Sequence, residues 1–427
     1  MLLNMLDIKF IRENADAIKA GAAKKHLVVD IDTLLKTDEK RRALMQETES
    51  MRAKQNEAND KMVAANPGER SMLLPELKKL KESLQKKEEE LKSLEHEWQL
   101  LMVQVPNIPD LSVPEGASDA DNVEVRTWGT KPDIKNPKSH TDLMQALGMA
   151  DFERGTKVAG FRGYVLKGDG ALLNYAVWNF VQDHFVKKGG FTPMLVPSLV
   201  KRVAFLGTGY LPQGEEDLYK TQDGDFLAGT GEVATMAYYL NETLDKKDLP
   251  LKMLAFSPCF RREAGSHGKD TKGLMRVHEF FKFEQVVLCE ASHEESVRLH
   301  EELTKNAEEL LQTLNLPYHV VINCGGDLGL GQVKKYDIET WVPSENRYSE
   351  THSSSYFHDF QTRRLNIRYR DEQGVMQYAH SLNNTALATP RILIAILENN
   401  QNEDGSITVP EILRPYLGKD KIVAPQK

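Results

Sequence analysis

Cysteine is scarce in this chain of 427 residues: Cys259, Cys289 and Cys324 are the whole set, with no CxxC spacing among them. An odd number so placed excludes a disulfide framework and a cysteine-rich zinc site, and predicts buried, reduced thiols. Histidine offers no substitute, because His267, His278, His352 and His358 form no HExxH pattern. Long apolar runs are missing as well. The longest obvious one, Ile392 to Leu397, is too short to span a bilayer, and Asn4, Asp7 and Lys9 interrupt the N-terminus where a secretory signal is continuous. A cytoplasmic protein without membrane contact is expected. Net positive charge is also lacking, at −8 with a pI of about 5.9. No global basic field would hold nucleic acid, so DNA is not an expected partner and any RNA contact must be local. What remains, 40% hydrophobic and 28% charged, describes a soluble globular chain long enough for two or three domains.

The first thirty residues, with Met5, Ile8 and Ile11 before Asn14 to Lys25, read as one or two short helices. Leu44, Thr48, Met51, Gln55, Ala58, Met62 and Ala65 then make a thin heptad seam. After a break at Asn66, Pro67 and Gly68, a stronger seam runs through Leu73, Leu77, Leu80, Leu84, Lys87, Leu91, Leu94, Trp98, Leu101 and Val105, spoiled only by Lys87. So short a connection makes the two helices antiparallel, and the second would be on the order of 50 Å long, which predicts a projecting arm. Basic and acidic residues balance between positions 36 and 100. Lys78, Lys79, Lys81, Lys86 and Lys87 nevertheless cluster on the second helix, as a solvated face or as contacts to RNA phosphates.

Pro106, Pro109, Pro114, Pro132 and Pro137 end the helix and mark a linker. Beyond it, Ala171 to Lys188 reads as a helix stopped by Gly189 and Gly190, and Phe191 to Val196 as a strand running into Pro197. Thr230, Gly231 and Glu232 begin another helix, with Thr230 in the N-cap position and a carboxylate in the first turn.

The stretch FRREAGSHGKDTKGLMRVHEFFKFE, Phe260 to Glu284, reads as two strands joined by a loop containing Gly265, Gly268 and Gly273, with Arg276 to Leu288 alternating as a half-buried strand. Period two puts Arg276, His278, Phe280, Lys282 and Glu284 on one face, Val277, Phe281 and Phe283 on the other, and Arg261 with Glu263 on the incoming strand. A face with two arginines, two carboxylates and an aromatic ring is too costly to bury dry. It is either a solvated edge hairpin or a surface for a charged ligand. The combination suits a nucleotide, since guanidinium forks match phosphate oxygens, a ring can stack on a base, and a carboxylate can hold an amine.

Farther on, DIETWVPSENRYSETHSSS places Asp337 and Glu339 on a strand and Glu350 and Ser353 after a turn, all hard oxygen donors of the kind Mg²⁺ accepts. Arg363, Arg364, Arg368 and Arg370 read as a strand or its approach, with structural roles for most. AHSLNNTALATPRILIAILENNQ reads as strand, polar turn and apolar helix, the helix capped by Thr389 ahead of Pro390.

Taken together, these segments resemble the class II aminoacyl-tRNA synthetases, in the form found in seryl-tRNA synthetases. FRREAG, GKDT, GLMRVH and the following aromatic and glutamate are similar to motif 2; the helix, strand and proline ending at Pro197 to motif 1; and the segment around Arg391 to motif 3. VPNIPDLSVPEG and NVEVRTWG are similar to the junction between arm and core, and the likeness extends from LDIKFIREN to VPEILRPYLG. The resemblance implies an α+β fold, a class II core of antiparallel sheet flanked by helices in residues 111–427, behind an antiparallel coiled-coil arm for tRNA in residues 1–110, and a homodimer joined through motif 1. It implies activation of L-serine with ATP and Mg²⁺ to seryl-adenylate, then transfer to the 3′ end of tRNA(Ser), with selenocysteine tRNA as a further candidate acceptor.

Residue by residue, the resemblance gives Arg261 and Arg391 the catalytic phosphate contacts, and Thr230, Glu232, Glu284, Asn383 and Thr385 the serine pocket. Glu263, Arg276, Val277 and Phe280 complete the ATP site, and Glu350 with Ser353 hold the metal. Two positions depart from the family pattern: Gly231 where Ala or Ser is usual, and Ser349 where Arg is frequent. Neither removes a polar group assigned to the site. A different class II synthetase or a synthetase-like enzyme charging a carrier, and a nonenzymatic coiled-coil RNA-binding protein, are the rival readings.

Overall fold

A computed structural model describes residues 6–265 and 272–425. Met5 and the stretch from His267 to Thr271, which holds Gly268 and the GKDT run, lie outside the described residues. The described residues divide into two compact units, one of residues 6–23 with Leu27–Pro106, the other of Lys24–His26 with the chain from Asn107 onward.

In the first unit two short helices, α1 (Ile8–Glu13) and α2 (Ala15–Lys24), precede two long ones, α3 (Ile31–Ala64) and α4 (Pro67–Met102). The heptad seam decides burial. Leu44, Thr48 and Leu84 are buried, and Met51, Gln55, Ala58, Leu77, Leu80 and Leu91 are half-buried while most of their neighbours are exposed. Contacts between α3 and α4 require the antiparallel course: Arg41 lies 4.4 Å over the Trp98 ring, Arg52 pairs with Glu88 at 2.8 Å, and Lys87 pairs with Glu47 at 3.2 Å. Lys87 thus sits in the apolar seam with a partner across it. The turn is tighter than expected. Asn66 caps α4, accepting from Gly68 and Glu69 amides at 3.1 Å, while the Glu69 carboxylate returns to the Asn66 amide at 3.0 Å. Pro67 and Gly68 therefore belong to the first turn of the helix, where a missing N–H is harmless. Buried Asp38 on α3 gathers Arg41 at 3.1 Å, Arg42 at 3.2 Å and Arg12 of α1 at 3.5 Å.

The second unit is built on an eight-stranded sheet. In chain order its strands are β1 (Val123–Trp128), β2 (Thr192–Leu195), β3 (Leu251–Phe260), β4 (Glu279–Cys289), β5 (Tyr318–Ile322), β6 (Lys334–Val342), β7 (Arg347–Tyr356) and β8 (His380–Thr389). Across the sheet they run β1-β5-β6-β7-β8-β4-β3-β2. Every neighbouring pair is antiparallel except β2 and β3. Helices α5 (Asp169–Lys188), α6 (Gly231–Tyr238), α7 (His293–Thr313), α8 (Phe360–Leu365) and α9 (Arg391–Asn399) belong to the same unit. This is the α+β core expected, with antiparallel sheet and flanking helices. The helix α5 ends at Gly189, whose φ of 74° is open to glycine, and β2 follows.

Several local expectations need correction. The proline-marked linker contains β1, because Val123 to Trp128 is free of proline and can pair with β5. Strand β4 starts at Glu279, so Arg276, Val277 and His278 precede it and period two does not govern them. Nor is β4 half-buried: from Lys282 onward every residue is buried, because β3 and β8 flank it and α7 covers one face, where Asn306 donates to Gln285 at 2.7 Å. Arg363 and Arg364 lie in α8 rather than on a strand. The strand expected ahead of a polar turn runs on through Asn383, Asn384 and Thr385 to Thr389 as β8, and the cavity described below supplies polar surroundings for Asn383 and Thr385. Thr389 does not cap α9; its hydroxyl accepts from the Trp178 indole at 2.8 Å, and Pro390 occupies the cap position.

Candidate active site

One face of the sheet opens into a cavity of about 340 Å³. Adjacent strands present their inward positions to it: Phe280, Lys282 and Glu284 from β4, Lys335 from β6, Ser353 and Ser355 from β7, and Asn383 and Thr385 from β8. The intervening residues Gln285, Ser354 and Asn384 face the other way, toward α7, where Thr304 donates to the Ser354 hydroxyl at 3.0 Å.

A β-bulge on β7 adds Glu350 to the same face, and a second bulge interrupts β8. Glu350 and Ser353 are three residues apart, which on a regular strand sends them to opposite faces. Here Ile338 pairs with His352 and Glu339 with Glu350, so Thr351 is the extra residue, and Glu350 and Ser353 both line the cavity. On β8, Thr385 pairs with Glu284 and Leu387 with Phe283, leaving Ala386 as the extra residue just beyond the polar pair.

Thr230 caps α6 and joins it to the site. Its hydroxyl accepts from the Glu232 amide at 3.3 Å and donates to Glu284 Oε2 at 3.2 Å. Glu284 also forms a buried ion pair with Lys282. Glu232 accepts from Gln361 at 2.6 Å and from the Tyr210 hydroxyl at 2.9 Å. Burial pushes the Glu232 carboxyl up to about 7, with neighbouring Glu284 adding to the rise and the Gln361 and Tyr210 bonds opposing it. Two carboxylates against one ammonium leave this part of the cavity short of positive charge, a setting for an amine.

Arginines supply the opposite charge. The Arg261 guanidinium lies 5.3 Å over the Phe280 ring and donates to the Gly229 carbonyl at 3.4 Å. Arg391, at the start of α9, donates through Nε to the Met275 carbonyl at 3.1 Å and through Nη1 to the Glu350 carbonyl at 3.0 Å. Glu263, held at φ 54°, takes Arg276 at 3.2 Å and Arg162 at 3.7 Å.

Of the site residues read from the sequence, Thr230, Glu232, Arg261, Glu263, Val277, Phe280, Glu284, Glu350, Ser353, Asn383, Thr385 and Arg391 all line this one cavity. Arg276 does not; it stands behind Glu263 as its ion-pair partner. Sequence reasoning passed over Tyr210, Gln361 and Lys335. Lys335 precedes Asp337 by two residues on β6, so strand period could have found it, whereas nothing local marks Tyr210 or Gln361. Among the described residues no group of three or more His, Cys, Asp or Glu side chains is placed to hold a metal ion. The oxygens of Glu350 and Ser353 offer two hard donors, a set that fits an ion completing its shell with water and phosphate.

An antiparallel sheet flanked by helices, with one face opening into a cavity lined by arginines and carboxylates, is the architecture of a class II aminoacyl-tRNA synthetase core. Comparison with known proteins agrees: the family model described as the tRNA synthetase class II core domain (G, H, P, S and T) matches residues 219–400, and that of the seryl-tRNA synthetase N-terminal domain matches residues 5–109. A serine–tRNA ligase of Deinococcus radiodurans is 48% identical over 98% of this chain and 99% of its own. Among solved structures, seryl-tRNA synthetase from Pyrococcus horikoshii complexed with ATP matches 99% of this chain and 100% of its own, with a TM-score of 0.89 and 38% identity. The cytoplasmic serine–tRNA ligase of Naegleria fowleri in complex with AMP covers 100% of both chains with a TM-score of 0.85 and 32% identity. The chain belongs to the seryl-tRNA synthetase family.

Proposed function

We infer that this chain activates L-serine with ATP and transfers the seryl group to tRNA. The observation that carries the reading is the single cavity lined both by the carboxylate pair Glu232 and Glu284 and by the guanidinium groups of Arg261 and Arg391. In the first step an oxygen of the serine carboxylate attacks the α-phosphorus, the bond to the β-phosphate oxygen breaks, and seryl-adenylate and pyrophosphate form. In the second a hydroxyl of the tRNA 3′-terminal ribose attacks the seryl carbonyl and AMP leaves. The chain needs no covalent nucleophile for either step; holding reactants in line and offsetting phosphate charge are sufficient.

In this reading Glu232 and Glu284 take the serine ammonium and hydroxyl, with Thr230, Asn383 and Thr385 closing the pocket. A site that hydrogen-bonds a hydroxyl rejects alanine because its buried polar groups are left unpaired, and rejects threonine by space. Phe280 stacks on adenine beside the main chain at Val277, Arg261 holds the α-phosphate, and Arg391 holds the terminal phosphates. Glu263, clamped by Arg276, borders the nucleotide. Glu350 and Ser353 hold Mg²⁺, which when bound neutralises phosphate charge.

The heptad hairpin of α3 and α4, with Lys78, Lys79, Lys81 and Lys86 exposed, supports a tRNA-binding role for residues 1–110, with the chemistry in 111–427. A homodimer is supported by the open edge of β2, where Leu195 is 85% exposed, and by the exposed Val158 and Phe161. Buried free thiols at all three cysteines support the cytoplasm. The negative net charge speaks against DNA. Selenocysteine tRNA is a second acceptor of the same reading, because the amino acid attached is again serine. Incubation with ATP, Mg²⁺, labelled serine and tRNA tests the whole: label on tRNA(Ser) is expected, and adenylate formation with no acceptor charged contradicts the tRNA step.

A further inference from the structure

We propose that His140 is a positioning residue of the nucleotide site: bonded to Glu398 on one side and to the Leu274 amide on the other, it fixes the Leu274–Met275 main chain on which Arg391 is anchored. The inference rests on the reading of Arg391 as a phosphate-binding group.

Neither His140 nor Glu398 lines the cavity, yet both are buried, at 6% and 0% exposure. A buried imidazole and carboxylate are costly unless their bonds are satisfied, and here they are. The Leu274 amide, 3.1 Å from His140 Nε2, can only donate. Nε2 is therefore the acceptor and Nδ1 carries the proton, directed at Glu398 Oε1 3.1 Å away. Glu398 also accepts from the amides of His140 at 2.7 Å and Ser344 at 3.0 Å. Burial alone would raise its carboxyl, but these bonds outweigh it and hold the group below the usual range, as an anion. Gly273 explains the close approach. Its φ is 76°, and a Cβ there would lie 2.2 Å from His140 Nε2.

From Leu274 the connection to the site is direct. Leu274 and Met275 line the cavity, and the Met275 carbonyl receives Arg391 Nε at 3.1 Å. Helix α9 carries Arg391 at its start and Glu398 seven residues later, about two turns on and hence on the same face. One rigid helix thus grips the 274–275 main chain twice, at the Met275 carbonyl through Arg391 and at the Leu274 amide through Glu398 and His140. Without the imidazole, Arg391 keeps its helix but loses the fixed carbonyl that aims its guanidinium.

Two substitutions separate positioning from packing. Asn reaches the place of Nδ1 and keeps the Glu398 contact but stops short of Leu274; Gln reaches the place of Nε2 and offers Leu274 an oxygen. In serine-dependent ATP–pyrophosphate exchange, His140→Asn is expected to raise the KM for ATP about tenfold with the KM for serine unchanged, as the loss of one buried acceptor suggests. His140→Gln should return the ATP KM to within roughly threefold of wild type. Equal behaviour of the two variants, or a rise shared by ATP and serine, overturns the proposal. Should His140→Asn not fold, Glu398→Gln carries the test: a rise confined to the ATP KM supports it, and parallel rises overturn it. Wild-type exchange is the control. Its absence defeats the functional reading itself, whereas normal exchange with an unchanged ATP KM in His140→Asn defeats only the role of His140.

Discussion

Glu284→Gln separates two consequences of one carboxylate. Glu284 and its partner Lys282 have side chains only 3% and 8% exposed, so their attraction is little screened by solvent. Neutralising Glu284 strands the Lys282 ammonium, and breaking a buried pair from one side costs roughly 3–5 kcal/mol of stability. In the proposed reading the same change weakens a charged acceptor for serine. Hydrogen bonds to charged groups contribute about 1.5–3 kcal/mol, so kcat/KM for serine in pyrophosphate exchange should fall on the order of 10- to 150-fold while the KM for ATP holds. The double variant Lys282→Met/Glu284→Gln leaves no unpaired charge at these two positions. Its melting temperature should recover most of the loss while serine activation stays low. Recovery of both together would mean that Glu284 acts only by keeping the strand intact, and serine kinetics within twofold of wild type in the single variant would refute the assignment outright.

At Gly231 an added Cβ would meet Ala255 Cβ and Ser257 Oγ at 3.4 Å, ordinary contact distances. Gly231→Ala is thus expected to fold, to gain up to about 1 kcal/mol in denaturant titration from helix propensity, and to keep serine activation; a loss of stability would contradict that geometry. Glu232, raised to about 7 from an ordinary 4.5, keeps a proton in the folded chain that the unfolded chain has released, so its contribution to stability declines as pH rises across that window. Glu232→Gln should flatten that part of the stability–pH curve, and in the wild type the KM for serine should fall as pH rises through 7, since an ammonium prefers the ionised carboxylate; a flat serine profile contradicts this. Leu84 is the most buried of the α4 seam residues, at 5% exposure, and Leu84→Ala should cost the hairpin about 2–3 kcal/mol. Charging of tRNA should weaken in that variant while serine-dependent exchange persists, and equal losses in both would argue against a separate role for the hairpin.

Much of this was legible because it obeys local rules. Heptad spacing placed Leu44 and Leu84 in the hairpin seam, and period two placed Phe280, Lys282 and Glu284 on one face of β4. What the same rules missed depends on departures from regular geometry. Glu350 and Ser353 meet only because Thr351 bulges, and Asn383 sits in a central strand against its propensity because a polar cavity faces it. Arg276 was assigned to a strand that begins three residues later, and its partner Glu263 follows β3 in a left-handed conformation that sequence spacing cannot specify. Tyr210 and Gln361 reach Glu232 from distant segments, and neither carries a neighbouring pattern that announces it.

The central claim is that one cavity activates serine and discriminates it by its hydroxyl. ATP–pyrophosphate exchange on the purified protein with Mg²⁺, run in parallel with serine, alanine, threonine, glycine and no amino acid, tests it most directly. Exchange with serine alone is the predicted result. Exchange with alanine at a comparable rate, or none with any amino acid from well-folded protein, would contradict it.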